Sequence, residues 1–131
     1  MPKTGARGKL PGVKSRPIEE EWRPWGSFHT LEEGPGYKIK RLVVLPGRRL
    51  SLQRHRRRAE HWIIVAGTAT VVNGDRTLRL GKRACTVIER QAWHRIENHG
   101  RGPVVIVEVQ HGSYLGEDDI VRKQDDYGRV K

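Results

Sequence analysis

Residues 47–67 read Gly-Arg-Arg-Leu-Ser-Leu-Gln-Arg-His-Arg-Arg-Arg-Ala-Glu-His-Trp-Ile-Ile-Val-Ala-Gly. Gln53 and His55 are two residues apart, so on a β-strand their side chains leave the same face. Glu60 follows after a gap of turn length and opens an apolar run, Trp62-Ile63-Ile64-Val65, which Ala66-Gly67 closes. Two adjacent antiparallel strands of this kind bring Gln53, His55 and Glu60 to one point. Further along, His94 opens another short strand, with Asn98 four residues on and on the same face. Imidazole, carboxylate and amide oxygen together suit a divalent first-row metal. A lone histidine on a strand also serves as an ordinary hydrogen-bonded residue, and glutamine is a weak ligand, so spacing alone leaves both readings open.

The surrounding sequence is strand-like. Residues 37–45 and 51–55 read as strands, the first ended by Pro46-Gly47. Residues 68–72 and 76–80 flank Asn73-Gly74, which predicts a hairpin with a type I′ turn. Residues 84–88, 93–96 and 104–110 complete the set. Helix signals are weak, and residues 18–22 and 115–122 are the only short candidates. Many short strands with few helices predict an all-β sandwich or small barrel, in which alternate residues face inward.

The chain has 131 residues, enough for one domain with a real core. Its single cysteine, Cys85, excludes an internal disulfide framework and a cysteine-cage zinc site. Cys85 lies in an apolar strand and is expected in the core. The net charge is +11, and 18 of the 26 basic residues are arginine. Residues 1–16 hold Lys3, Arg7, Lys9, Lys14 and Arg16, no acid, and several Gly and Pro. They read as a flexible basic tail before one domain over residues 17–131. A second cluster, Arg48, Arg49, Arg54, Arg56, Arg57 and Arg58, suits a solvated face, a nucleic acid or a phosphate-bearing small molecule. Exposed aromatics for base stacking are not interleaved with it, which argues against single-stranded nucleic acid. No apolar run reaches membrane length and no secretory segment follows Met1, so a cytoplasmic protein without a membrane is expected.

The pattern Gly47, Gln53-x-His55, Glu60, Gly67, with His94-x-x-x-Asn98 later, resembles the two cupin motifs, with Gln where many cupins have His. That resemblance implies a double-stranded β-helix, or jelly-roll, barrel, here with short helical segments near the termini. Arg23-Pro24-Trp25-Gly26-Ser27-Phe28, Arg58-Ala59-Glu60-His61-Trp62 and residues 112–122 are more specific. They are similar to the type II mannose-6-phosphate isomerase domain, usually the C-terminal part of bifunctional enzymes with a mannose-1-phosphate guanylyltransferase. The chain departs from that family at Arg54, Arg56 and Arg57, where a His-rich run is usual, and at Glu89 and Gln91, where Pro-x-Gly is usual.

The resemblance implies a metal-dependent aldose–ketose isomerase interconverting mannose 6-phosphate and fructose 6-phosphate. It implies a divalent ion (Zn, Mn, Co, Ni or Fe) on Gln53, His55, Glu60 and His94. Arg58 is assigned to the developing oxyanion, and Lys40, Glu108 and His61 are candidates for the catalytic base. Arg41, Arg56 and Arg57 are candidates for the phosphate, with Tyr114 closing one end of the barrel. The expected partners are a phosphosugar, a second copy in a homodimer and a separate nucleotidyltransferase. The rival readings are a non-catalytic sugar- or metabolite-binding cupin and another metal-dependent cupin enzyme.

Overall fold

The computed structural model describes residues 10–15 and 20–129. Twelve strands are formed among them: β1 (Lys14–Ser15), β2 (Glu21–Arg23), β3 (Gly26–Gly34), β4 (Tyr37–Val44), β5 (Leu52–Arg54), β6 (Arg58–Ala66), β7 (Ala69–Asn73), β8 (Arg76–Leu80), β9 (Cys85–Ile88), β10 (His94–Glu97), β11 (Val104–Gly112) and β12 (Val121–Gln124). They make two antiparallel sheets. One runs β1-β3-β4-β11-β6-β9, with β2 also on β3, and the other runs β12-β5-β10-β7-β8. The all-β expectation holds. No helix is found among the described residues, and none there is long and apolar enough to cross a membrane. The expected basic tail lies largely outside the described residues, and Lys14 and Ser15 pair with Glu33 and Glu32.

The core and the polar interior share the same strands. On β6, Arg58, Glu60, Trp62 and Ile64 are buried in alternation, and on β11 Val104, Ile106, Glu108 and Gln110 do the same. Register sets these residues in rows across the sheet. Leu42, Ile106 and Ile64 form an apolar row, Lys40, Glu108 and Trp62 the next, and Lys38, Gln110 and Glu60 the one beyond. The apolar end packs against Val71 and Ile96 of the other sheet, within a core that includes Trp25, Val44 and Leu50. Each such side chain contributes about 1.5–3 kcal/mol on burial. The sheets are therefore closed by hydrocarbon at one end and carry charge at the other.

Three local expectations change. The β7–β8 hairpin forms, but Asn73 pairs with Arg76, so Gly74-Asp75 is the two-residue loop. Only Gly74 has a positive φ, 65°, which fits a type II′ turn rather than type I′. The helical reading of residues 115–122 gives way to a loop that leads into β12, and Glu21 and Trp22 belong to β2. The loop is held by tertiary bonds: the Asp119 carboxylate accepts from the backbone N–H groups of Arg56 and Arg57, and its backbone carbonyl lies 2.7 Å from His55 Nδ1. Cys85 is exposed rather than in the core, because it sits on the outer face of β9 opposite exposed Ile63.

Candidate active site and metal centre

A cavity of about 490 Å³ opens at the polar end, a size suited to a small metabolite. Gln53, His55, Glu60 and His94 all line it. The ligand atoms available on His55, Glu60 and His94 lie within 4.8 Å of one another, and all three residues are buried. His55 Nε2 is 3.3 Å from Glu60 Oε2, and His94 Nε2 is 3.9 Å from Glu60 Oε1. Gln53 faces His94 directly across the β5–β10 pair. The donor set draws Glu60 from one sheet and Gln53 and His94 from the other.

Both imidazoles are oriented from behind. His55 Nδ1 lies 2.7 Å from the Asp119 carbonyl, and His94 Nδ1 lies 2.9 Å from the Ala92 carbonyl. A proton on each Nδ1 leaves each Nε2 lone pair facing Glu60, which is how metal-binding histidines are commonly set. Burial pushes the His55 imidazole down to about 4 and lowers His94 as well, so both rings are neutral near pH 7. Burial opposes ionisation of Glu60. In the acid range, where they are protonated, the His94 and His55 rings, together with the Arg58 guanidinium, outweigh it and hold this carboxyl down at about 2. Two neutral imidazoles and one carboxylate form a chemically suitable set for a divalent first-row ion.

Arg58 is buried against this set. Its Nε donates to Glu60 Oε2 at 2.8 Å and its Nη2 to His55 Nε2 at 3.2 Å, while Nη1 has no hydrogen-bond partner. Glu108 stands beside Glu60. Trp62 Nε1 donates to Glu60 Oε1 at 3.0 Å and to Glu108 Oε1 at 3.1 Å, and Gln110 Nε2 donates to Glu108 Oε2 at 2.7 Å. Burial, with the Glu60 charge adding to it, pushes the Glu108 carboxyl up to about 8. Of the two carboxyls, Glu60 carries the charge and Glu108 the proton. Lys40 Nζ, also buried, pairs with Glu117 Oε1 at 2.9 Å.

The expected metal residues, Arg58, Lys40 and Glu108 thus meet in one cavity. The phosphate candidates do not. Arg41 alternates with inward Lys40, so it lies on the outer face of β4 against His29. Arg56 and Arg57 sit in the exposed β5–β6 connection with their backbone N–H groups tied to Asp119, and Arg57 lies over the Tyr114 ring. Tyr114 is 40% exposed and donates to Asp118, so it does not close the barrel. Asn98 turns away from the cavity, donating to the Val44 and Gly102 carbonyls and accepting from Gly100 N–H. Lys38, Trp62 and Glu117 line the cavity without having been expected there. Strand parity with Lys40 and Glu60 was the available signal for the first two.

Residues 14–125 match the family described as mannose-6-phosphate isomerase C-terminal. The chain belongs to that family. It is 51% identical over 109 residues to the xanthan biosynthesis protein XanB of Xanthomonas campestris pv. campestris, covering 83% of this chain and 23% of that protein. Identity to the alginate biosynthesis protein AlgA of Pseudomonas aeruginosa is 51% over 111 residues, covering 85% and 23%. With the mannose-1-phosphate guanylyltransferase ManC of Salmonella typhimurium it is 49% over 112 residues, covering 85% and 23%. The chain therefore spans under a quarter of the length of these curated relatives. In fold it is similar to the capsular polysaccharide assembling protein CapF of Staphylococcus aureus, with a TM-score of 0.71 at 19% identity over 84% of this chain and 32% of that one. A conserved protein from Klebsiella pneumoniae with a double-stranded β-helix domain gives 0.69 at 16% identity, over 85% and 91%. These two likenesses show the fold, the one expected for a cupin.

Proposed function

We propose that this member of the mannose-6-phosphate isomerase C-terminal family interconverts mannose 6-phosphate and fructose 6-phosphate. The reading is carried by one observation. A triad of His55, Glu60 and His94 with both Nε2 atoms facing inward lies beside a second buried carboxyl, Glu108, across a single indole N–H. Gln53, His55, Glu60 and His94 would hold a divalent ion. When bound, that ion supplies a Lewis acid for the sugar carbonyl.

The rest of the chemistry falls to the chain's own groups. Isomerisation moves one proton between C1 and C2, so it needs a group that takes a proton and returns it. Glu108 suits this step in its carboxylate form. With the carboxyl pushed up to about 8, that form is a stronger base than an ordinary carboxylate and is partly present at working pH. It takes the proton from one carbon and returns it to the other, and Trp62 and Gln110 fix its orientation. Arg58 provides a permanent positive charge where an enediolate oxygen would develop.

A coupled assay for fructose 6-phosphate on the metal-loaded protein tests the reading. Turnover of mannose 6-phosphate is expected, with little on free mannose. Glu108→Gln is expected to lower kcat by about 10²–10⁴-fold without loss of metal binding. If wild-type protein gives no fructose 6-phosphate above background, the non-catalytic sugar-binding reading replaces this one.

A further inference from the structure

With the arginines of residues 54–57 away from the cavity, the charges that do face it need a purpose. Seven Lys and Arg residues line it, and three of them, Lys38, Lys40 and Arg58, converge on one side. All three approach a single anion, the side chain of Glu117, in the loop between β11 and β12. Glu117 is 59% exposed, whereas the side chains of Lys38, Lys40 and Arg58 are 12%, 7% and 7% exposed. The cations are thus built into the wall, and the anion reaches in from a surface loop.

The fit is incomplete. Glu117 Oε1 meets Lys40 Nζ at 2.9 Å. Its Oε2 is left 3.7 Å from Lys38 Nζ and 3.9 Å from Arg58 Nη1, beyond hydrogen-bond reach. Arg58 Nη1 is buried and has no hydrogen-bond partner. Lys38 also donates to the Leu115 carbonyl at 2.9 Å, with Glu33 3.6 Å away, so it belongs both to the wall and to the loop. A carboxylate has two oxygens and one charge. Three donors arriving from two strands match a phosphoryl group, with three oxygens and up to two charges. A buried guanidinium with an unpaired arm is a costly arrangement unless a ligand completes it.

We propose that Lys38, Lys40 and Arg58 form a phosphoryl-binding seat which the Glu117 carboxylate occupies until a phosphorylated ligand displaces it. Only the sugar part of that ligand rests on the isomerase reading. The seat itself rests on the convergence of the three cations and on the unpaired arm of Arg58. Arg58 joins the seat to the triad, since its Nε and Nη2 contact Glu60 and His55 while Nη1 points toward Glu117.

Binding of inorganic phosphate to the full 131-residue chain, measured by calorimetry and ³¹P NMR, tests the seat without turnover. An internal competitor lowers apparent affinity by the fraction of time that it holds the site, so Glu117→Gln is expected to tighten phosphate binding by about tenfold. Lys40→Met in the Glu117→Gln background should reverse that gain. Lys38→Met should do so in part, and it serves where the buried Lys40 change fails to fold. No gain on Glu117→Gln overturns the seat, and so does a gain that survives both lysine changes. Turnover of mannose 6-phosphate by the same proteins separates the two proposals. A phosphate gain without isomerase activity upholds the seat and refutes the isomerase reading. Turnover in which Glu117→Gln lowers kcat at unchanged KM makes Glu117 a proton carrier and refutes the seat.

Discussion

Gln91 shows how one backbone angle can record a departure from a family pattern. Its φ is 69°, in the left-handed region that favours glycine, the residue that the resemblance to the type II isomerase domain predicts there. Its N–H donates to the His55 carbonyl at 2.8 Å, so the turn supports a residue of the candidate metal site. A Cβ in that conformation costs about 1 kcal/mol. Gln91→Gly is therefore expected to raise the melting temperature by a few degrees with the site intact, as calorimetry would read; a lower melting temperature would refute strain at this turn. Asp125 gives a pH prediction. Hydrogen bonds from the Arg129 side chain, ahead of the opposing effect of burial, hold its carboxyl down at about 2. An unfolded aspartate titrates near 3.9, so the folded state gains stability that is present above about pH 4 and lost as pH falls through 2. Asp125→Asn should flatten the fall in urea midpoint between pH 4 and pH 2, and an unchanged slope would remove Asp125 from that account. The candidate metal residues were legible at this scale from their types and spacing, but not through the expected adjacent strands: His55 lies just past β5, and Glu60 comes from β6 of the other sheet. Strand parity already separated Arg41 from Lys40, and it is the structure that shows which of the two faces inward. Arg56 and Arg57 were less accessible to sequence reading, since they lie in a connection whose path depends on Asp119, 62 and 63 residues away.

At the scale of elements, the loop between β11 and β12 is the part that sequence patterning handled least well. Its run of acids and its short apolar residues gave a helical signal, yet its conformation is fixed by what it touches. Asp119 alone makes three such contacts. Its carboxylate receives the N–H groups of Arg56 and Arg57 at 3.0 and 2.9 Å, and its carbonyl orients His55. The loop thereby fastens the β5–β6 connection and orients a histidine of the candidate metal site, favouring the tautomer with the proton on Nδ1. Asp119→Ala keeps the carbonyl but removes the two carboxylate bonds, at an expected cost of about 1–3 kcal/mol. Denaturant unfolding reads that loss, and metal titration of the same variant should show weaker binding, because the connection carrying His55 loosens. Stability equal to wild type would show that Asp119 is not a fastening point. The strands missed in the sequence have a related cause. Residues 26–34 carry His, Thr and two Glu without clean alternation, yet β3 forms because β4 offers it a long edge, with a register shift between Thr30 and Glu32. Strands β6 and β11 were plain from their apolar runs, being paired with each other at the centre of the seven-stranded sheet.

For the whole molecule, the decisive arrangement is that the donor set spans the two sheets. Glu60 belongs to the seven-stranded sheet, and Gln53 and His94 to the five-stranded one, with His55 just beyond β5. At the far end the sheets are held by hydrocarbon, but at this end burial gathers two imidazoles, an arginine and two carboxyls. A divalent ion on these residues would tie the sheets together where hydrophobic packing does not. Anything that binds the folded state alone stabilises it by RT ln(1 + [L]/Kd), about 2.7 kcal/mol at a hundredfold excess over Kd. In a domain of this size that corresponds to roughly 10 °C in melting temperature. Chelator-treated protein is therefore expected to melt about that much lower than protein given Zn²⁺, Mn²⁺, Co²⁺ or Ni²⁺. His55→Ala and His94→Ala should each abolish most of the difference, since losing one ligand of a small set greatly weakens a site. Arg58 adds a second signature. Its Nε and Nη2 take the Glu60 and His55 lone pairs in the structure, so it competes with an ion for them. Arg58→Met should weaken the chelated protein, whose Glu60 then lacks a buried counter-charge, yet should widen the gain from added metal. A melting temperature indifferent to all four ions, or gains that survive both histidine changes, would show that the two sheets are not joined through this site.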